Sequence, residues 1–340
     1  MNELYLILGI LLYIIVALDI IKTTLSSTGG GYITNKIAQA VWKVWFLLSG
    51  KNGKSKMLQY AGPTVLVSIL VFWVATLWGG YFLMILSDPD SIKKSSTLEV
   101  ALPLEKLYYA GYVVSTLGIG DYVANNHAWR ITTNVIAFSG LAFITASITY
   151  FVQILSANGL QNSLATYISG LGSTPQQILL YSWNGKDFSK LSDKISDLSQ
   201  MIIQHTMNHH SYPIIHYFHN NNPQQSITPS MARLYDAYCL LENAVKEDAN
   251  LSQVDRSMLG NAFEAYHHTM LKDFVKQLEP GLTTPALPTD SLMQEGVPVL
   301  QEPKEQSLPP KYEKQRMLYT MLLQKEGWGW VQVYKITVAS

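Results

Sequence analysis

Charge is what this 340-residue chain has little of: Asp, Glu, Lys and Arg together make up 14% of it, and 24 basic side chains balance 24 acidic ones. With no net charge, nothing in the total favours a nucleic acid or an acidic substrate as partner. Cysteine is nearly missing. Cys239 stands alone, so an internal disulfide and a CxxC pair are excluded, and a small buried side chain is its expected role. No GxGxxG run follows a strand-like segment and no phosphate loop occurs, which argues against a nucleotide-binding Rossmann domain. No segment repeats Lys or Arg at every third position, so the charge array of a voltage sensor is absent.

The shortage of charge is local. Residues 57–87 and 131–185 contain no charged side chain, whereas the chain after Lys186 carries an ordinary mixture. About 20 apolar residues cross the ~30 Å hydrocarbon layer of a bilayer. Three segments qualify: 4–21, interrupted only by Asp19, 63–86 and 131–155. Glu3 stands where a signal peptide would be basic, and no small-residue cleavage site follows, so the first segment is expected to stay as a span. Between the first two spans lie six lysines (22, 36, 43, 51, 54 and 56) and no acid, which places that loop in the cytoplasm. Segment 88–130 mixes five acids with four bases, as suits the outer side. The expected protein is multi-pass in the cell membrane, N-terminus outside and C-terminal region cytoplasmic. Residues 37–48 of the basic loop, with Trp42 and Trp45, read as an amphipathic helix, lying in the headgroup layer or packed beneath the bundle.

Segment 101–122 is too apolar for an ordinary outer loop and too short to cross and return as two helices. A re-entrant segment fits. Pro103 suits a first helical turn and Glu105 complements its positive end, and the helix stops where Gly118 and Gly120 approach. Non-helical backbone at membrane depth survives only when buried in protein or lining a water path. Glycine can take the positive φ that turns successive carbonyls one way, and a ring of carbonyls can replace an ion's hydration shell.

The run YYAGYVVSTLGIGD, Tyr108 to Asp121, resembles the pore helix and filter of potassium channels, whose common filter pattern is T-V-G-Y-G-D. Four of six positions agree: Thr116, Gly118, Gly120 and Asp121. The order of span, pore helix, filter and second span is also similar. The resemblance implies potassium ions held by Thr116, Leu117, Gly118, Ile119 and Gly120, with Asp121, Tyr108, Tyr109 and Tyr112 supporting the filter. It implies a gating hinge at Gly140 and four copies around one axis. Two departures stand out. Ile119 replaces the usual tyrosine and removes a hydroxyl from the cuff; Leu117 replaces valine. Tyr112 sits where some members carry a glutamate. Thr145, Ser147 and Thr149 either wet an inner cavity or bond between helices.

Beyond the pore the pattern is helical. Thr174, Pro175 and Gln177 open a helix that Asn184 and Gly185 close. Leu191, Ile195, Leu198 and Ile202 mark one apolar helical face. Thr228 and Pro229 open a helix through Glu247, and another covers 251–278. Seven prolines between Glu279 and Pro310 predict an extended or disordered linker. A last helix over 312–325 precedes Trp328, Trp330 and Tyr334, expected to dock on the domain or touch the membrane. Seven of the eight histidines lie in this region. His205 and His209 have metal-ligand spacing, but the apolar residues around them favour buried rings.

The expected fold is therefore an all-α membrane protein with three transmembrane helices, a re-entrant pore helix and filter loop, and a helical, non-Rossmann cytoplasmic domain. Its parts are an N-terminal transmembrane helix (1–22), a cytoplasmic loop (23–60), a pore domain (61–157), a helical domain (158–278), a proline-rich linker (279–311) and a C-terminal helix with an aromatic tail (312–340). The expected function is a homotetrameric, non-enzymatic potassium channel that contacts membrane lipid and needs no cofactor beyond potassium ions in its filter. A poorly selective cation channel is one alternative. A membrane enzyme using the histidines is another.

Overall fold

The computed structural model describes residues 2–26, 29–275, 277–279, 281–300 and 308–334. The described chain is mostly helical, and three of its helices are long and apolar enough to cross a membrane. It forms two compact units, one of Met1–Val41 with Pro63–Leu155 and one of Trp42–Gly62 with Ser156–Ser340.

The first unit begins with α1 (Glu3–Leu25), started by the Asn2 side chain, which accepts from the Leu4 amide at 3.2 Å. It continues with the first part of α2 (Tyr32–Leu48), then α3 (Ala61–Leu86), β1 (Ile92–Lys94), α4 (Pro103–Val114), β2 (Tyr122–Ala124) and α5 (His127–Leu171). The helix predicted over 37–48 thus starts earlier, at Tyr32. The acid inside the first span explains that start. Asp19 is buried, and its carboxylate accepts from the Ile33 and Thr34 amides at 3.0 and 3.2 Å, the Thr34 hydroxyl at 2.6 Å and Trp73 Nε1 at 3.2 Å. It satisfies amide donors that α2 cannot satisfy itself and sets a negative charge at that helix's positive end.

The two short strands, which no sequence pattern indicated, pair antiparallel with Ile92 opposite Ala124 and Lys94 opposite Tyr122. Lys106, buried on α4, donates from Nζ to the carbonyls of Ile85, Asp88 and Pro89 at 3.2, 2.6 and 2.9 Å. It thereby closes the C-terminal end of α3, where carbonyls lack intrahelical partners. The helix α5 runs on far past the predicted span at 131–155. Its 45 residues measure ~67 Å at 1.5 Å per residue, about twice the hydrocarbon layer.

The second unit takes the last part of α5 and adds α6 (Pro175–Ser182), α7 (Ser189–Ser211), α8 (Ile227–Asn243), α9 (Gln253–Met270), α10 (Asp290–Gln294), α11 (Pro310–Lys325) and α12 (Trp330–Tyr334). Its core gathers Leu191, Ile195, Leu198 and Ile202 of α7 with Met231 and Tyr235 of α8 and Phe263 of α9. Cys239 is buried there. Thr174 caps α6 by accepting from the Gln177 amide at 3.1 Å, although that helix stops at Ser182, before Asn184.

Three expectations for this unit are corrected. α8 opens after Ser226, so Thr228 lies inside it and its hydroxyl donates to Glu326 instead of capping a helix, and it ends at Asn243, short of Glu247. α9 opens later than predicted, where Ser252 accepts from the Asp255 amide at 3.1 Å, and it widens into a π-turn at Leu271–Val275. The proline-rich stretch is not a bare linker over its described part. Leu292, Val297 and Val299 are buried in the core, and Val299 bridges Val245; residues 301–307 lie outside the described residues. Trp328 is likewise buried in the core, with Trp330 and Tyr334 packed against it. The end of the aromatic tail, 335–340, is not among the described residues.

Candidate functional site

The helix α4 begins as its sequence predicts. Pro103 occupies the first turn and Glu105 Oε2 accepts from the Leu102 amide at 2.7 Å. At the other end the chain leaves the helix without losing hold of it. The Thr116 amide donates to the Val113 carbonyl at 3.0 Å and the Leu117 amide to the Tyr112 carbonyl at 2.8 Å.

The backbone then alternates: Thr116, Gly118 and Gly120 have φ of +60°, +56° and +85°, while Leu117 and Ile119 between them do not. Residues of opposite hand in alternation turn successive carbonyls to the same side of the strand, which an ordinary strand does not do. Positive φ costs a glycine little but is uncommon for threonine. The exposed stretch 115–120 therefore carries a strain at Thr116 that its surroundings must hold.

Those surroundings are tyrosines. Tyr112 donates its hydroxyl to the Tyr122 carbonyl at 2.6 Å, and Tyr122 donates to Glu105 Oε1 at 2.6 Å. Tyr108, Tyr109 and Tyr112 meet edge to face, Tyr112 lying 5.3 and 5.0 Å from the other two. Tyr109 and Tyr81 share the Thr133 hydroxyl, each at 2.9 Å. Beyond the run, the Asp121 carbonyl accepts from the Ser95 amide at 2.8 Å, tying the strand pair to the loop. A cleft of about 480 Å³ lined by Tyr109, Tyr112, Thr116, Gly118 and Arg130 opens beside the loop. Sequence reasoning missed Tyr81, Tyr122 and Thr133; a tyrosine directly after Asp121 was the available signal.

The ion-channel family matches residues 68–157, which hold most of α3, all of α4, the alternating loop and the apolar part of α5. This chain belongs to the two-helix ion-channel family. The uncharacterized membrane protein YdjJ of Bacillus subtilis (strain 168) is 30% identical over 331 residues, 97% of this channel and 96% of the relative. The likeness to that membrane protein extends well past the pore, through the second unit. No solved structure matches the channel.

Other residues singled out in the channel's sequence fall in different places. Gly140 lies in unbroken helix, where an added Cβ would stand 2.3 Å from the Val114 carbonyl oxygen. Its local role is close approach between α5 and the end of α4. Thr145 and Thr149 share an exposed face of α5, whereas Ser147 is buried on another; each hydroxyl donates to the carbonyl four residues before it. Such bonds leave the threonine oxygens free to accept.

His205 and His209 pack edge to face in the second unit, ring centres 4.5 Å apart, and both are buried. Burial drives His205 down to about 3 and His209 well below the ordinary histidine value, with neighbouring histidines adding to the effect. No group of three or more His, Cys, Asp or Glu among the described residues is placed to hold a metal.

Proposed function

We propose that the channel is selective for potassium, conducting through a carbonyl-lined filter formed by Thr116, Leu117, Gly118, Ile119 and Gly120 from each of four copies. The observation that carries this reading is the alternation of positive φ at Thr116, Gly118 and Gly120 in the run TLGIGD. It aims carbonyls to one side with no side chain involved, so replacing valine and tyrosine by Leu117 and Ile119 leaves the donors in place. Oxygens at fixed spacing can stand in for a hydration shell. The filter is supported from behind by Tyr108, Tyr109 and Tyr112 and anchored at Asp121. The pore is passive, with no chemical step. The lysine-rich loop supports a cytoplasmic second unit and an outward N-terminus in the cell membrane.

One loop leaves its carbonyls open on one side; four copies close the ring. Apolar side chains on α5 are uncovered in the single chain, among them Ile131, Val135, Phe138 and Leu141, and neighbouring copies and lipid are their natural partners. A second reading, a poorly selective cation pore, is favoured by Ile119, which has no hydroxyl to hold the filter's width. Flux into liposomes separates the two. Potassium is expected to pass far faster than sodium, and Gly118→Ala, which places a Cβ at positive φ, is expected to abolish both fluxes. Equal rates for the two ions would favour the second reading.

A further inference from the structure

Glu326 directly follows α11 in the second unit and is 5% exposed. Little answers its charge. Thr228 donates its hydroxyl to Oε1 at 2.6 Å, and His216 Nδ1 stands 4.0 Å from the same oxygen. Beside this carboxylate lies a cavity of about 10 Å³ whose wall contains Glu326 as its one acidic side chain, His209 and His216, whose burial disfavours their charged forms, and no lysine or arginine. That is about the room one water-sized occupant requires.

The wall is unusually polar for so deep a place. Gln161, on the last part of α5, is 4% exposed; its amide nitrogen donates to the Phe218 carbonyl at 3.3 Å, and its Oε1 has no partner among the described residues. Thr228, on α8, is 3% exposed. Gln225 lines the same cavity and is exposed, giving it a mouth.

Burial holds the Glu326 carboxyl up at about 7, because its charged form has no counter-charge beside it, and a buried amide oxygen left unpaired costs about 1–3 kcal/mol. One occupant can answer both. Carboxylate, amide and hydroxyl oxygens are the donors a hard cation takes in place of water. A single acid balances a single positive charge, and the described residues offer no cluster of acids and histidines for a divalent metal.

From this geometry we infer that the cavity beside Glu326 binds a dehydrated monovalent cation of about water's size, such as potassium or ammonium, against Glu326, Thr228 and Gln161. The site is distinct in its residues from the filter and does not depend on the filter's selectivity. Its occupant joins α5, α8 and the end of α11.

The test is anomalous scattering from crystals of the full-length protein grown in rubidium or thallium salts. A peak beside Glu326 is expected in the native protein. It is expected to vanish in Glu326→Gln, which is nearly the same shape, and to weaken in Thr228→Val. No peak there, with water density only, would overturn the inference even if the variants failed to fold. A peak unchanged in Glu326→Gln would overturn it as well. Peaks in the filter serve as a separate readout: their absence beside a filled cytoplasmic cavity would count against the potassium-filter reading and support this one.

Discussion

At the scale of single residues, the pore segment is a set of places where one atom decides the outcome. Gly140 is the sharpest of them. As a hinge it would tolerate alanine with a change in gating alone, because alanine is the best helix former. As a contact it would not, since the added Cβ would stand 2.3 Å from the Val114 carbonyl oxygen. That oxygen is backbone at the last residue of α4, two residues before Thr116, and cannot swing aside. Gly140→Ala should therefore destabilise the protein by about 1–3 kcal/mol, the usual cost of overpacking, and lower ion flux by displacing the start of the TLGIGD run. Thermal unfolding in detergent beside a flux assay checks this. An unchanged unfolding midpoint with altered gating would return Gly140 to the hinge role.

At the scale of elements, the second unit is held by a buried ion pair that joins α8 to α11. Arg316 donates from Nε and Nη2 to the two oxygens of Asp236 at 2.7 and 3.1 Å, and Tyr334 of α12 donates to the same carboxylate. Both charges are buried. Removing one partner strands the other, so Arg316→Met should cost about 3–5 kcal/mol, whereas pairing it with Asp236→Leu should recover most of that loss. Denaturant or thermal unfolding of the two variants checks the pattern, and equal losses in single and double variants would contradict it. Contacts of this kind also mark how much could be read in advance. Pro103, Glu105 and the glycines announced the pore helix and its end because those signals are local. The strands at Ile92–Lys94 and Tyr122–Ala124 are three residues each, too short for alternation to show. Asp19 looked like a flaw at the end of a span because its partners, Thr34 and Trp73, lie 15 and 54 residues away. The prolines between 279 and 310 masked Leu292, Val297 and Val299, whose burial depends on a core assembled from distant helices.

At the scale of the whole molecule, the sequence supplies a direct test of membrane topology. Cys239 is the one cysteine and is buried, so a cysteine introduced at an exposed position becomes the principal accessible thiol. Leu98, 67% exposed in the segment between α3 and α4, and Lys54, exposed in the lysine-rich loop, are suitable positions. The positive-inside rule predicts that they lie on opposite faces of the membrane. In intact cells an impermeant maleimide should label Leu98→Cys and not Lys54→Cys, and inverted vesicles should reverse the pattern. The reverse result in cells would invert the topology and turn the second unit outward. The same purified protein should show a native mass of four chains of 38.1 kDa plus bound lipid. The number is what the resemblance to potassium channels implies, since in that family four strands about one axis enclose the ion. A stable monomer that still conducted would contradict the carbonyl-ring filter, because one chain holds only one TLGIGD run.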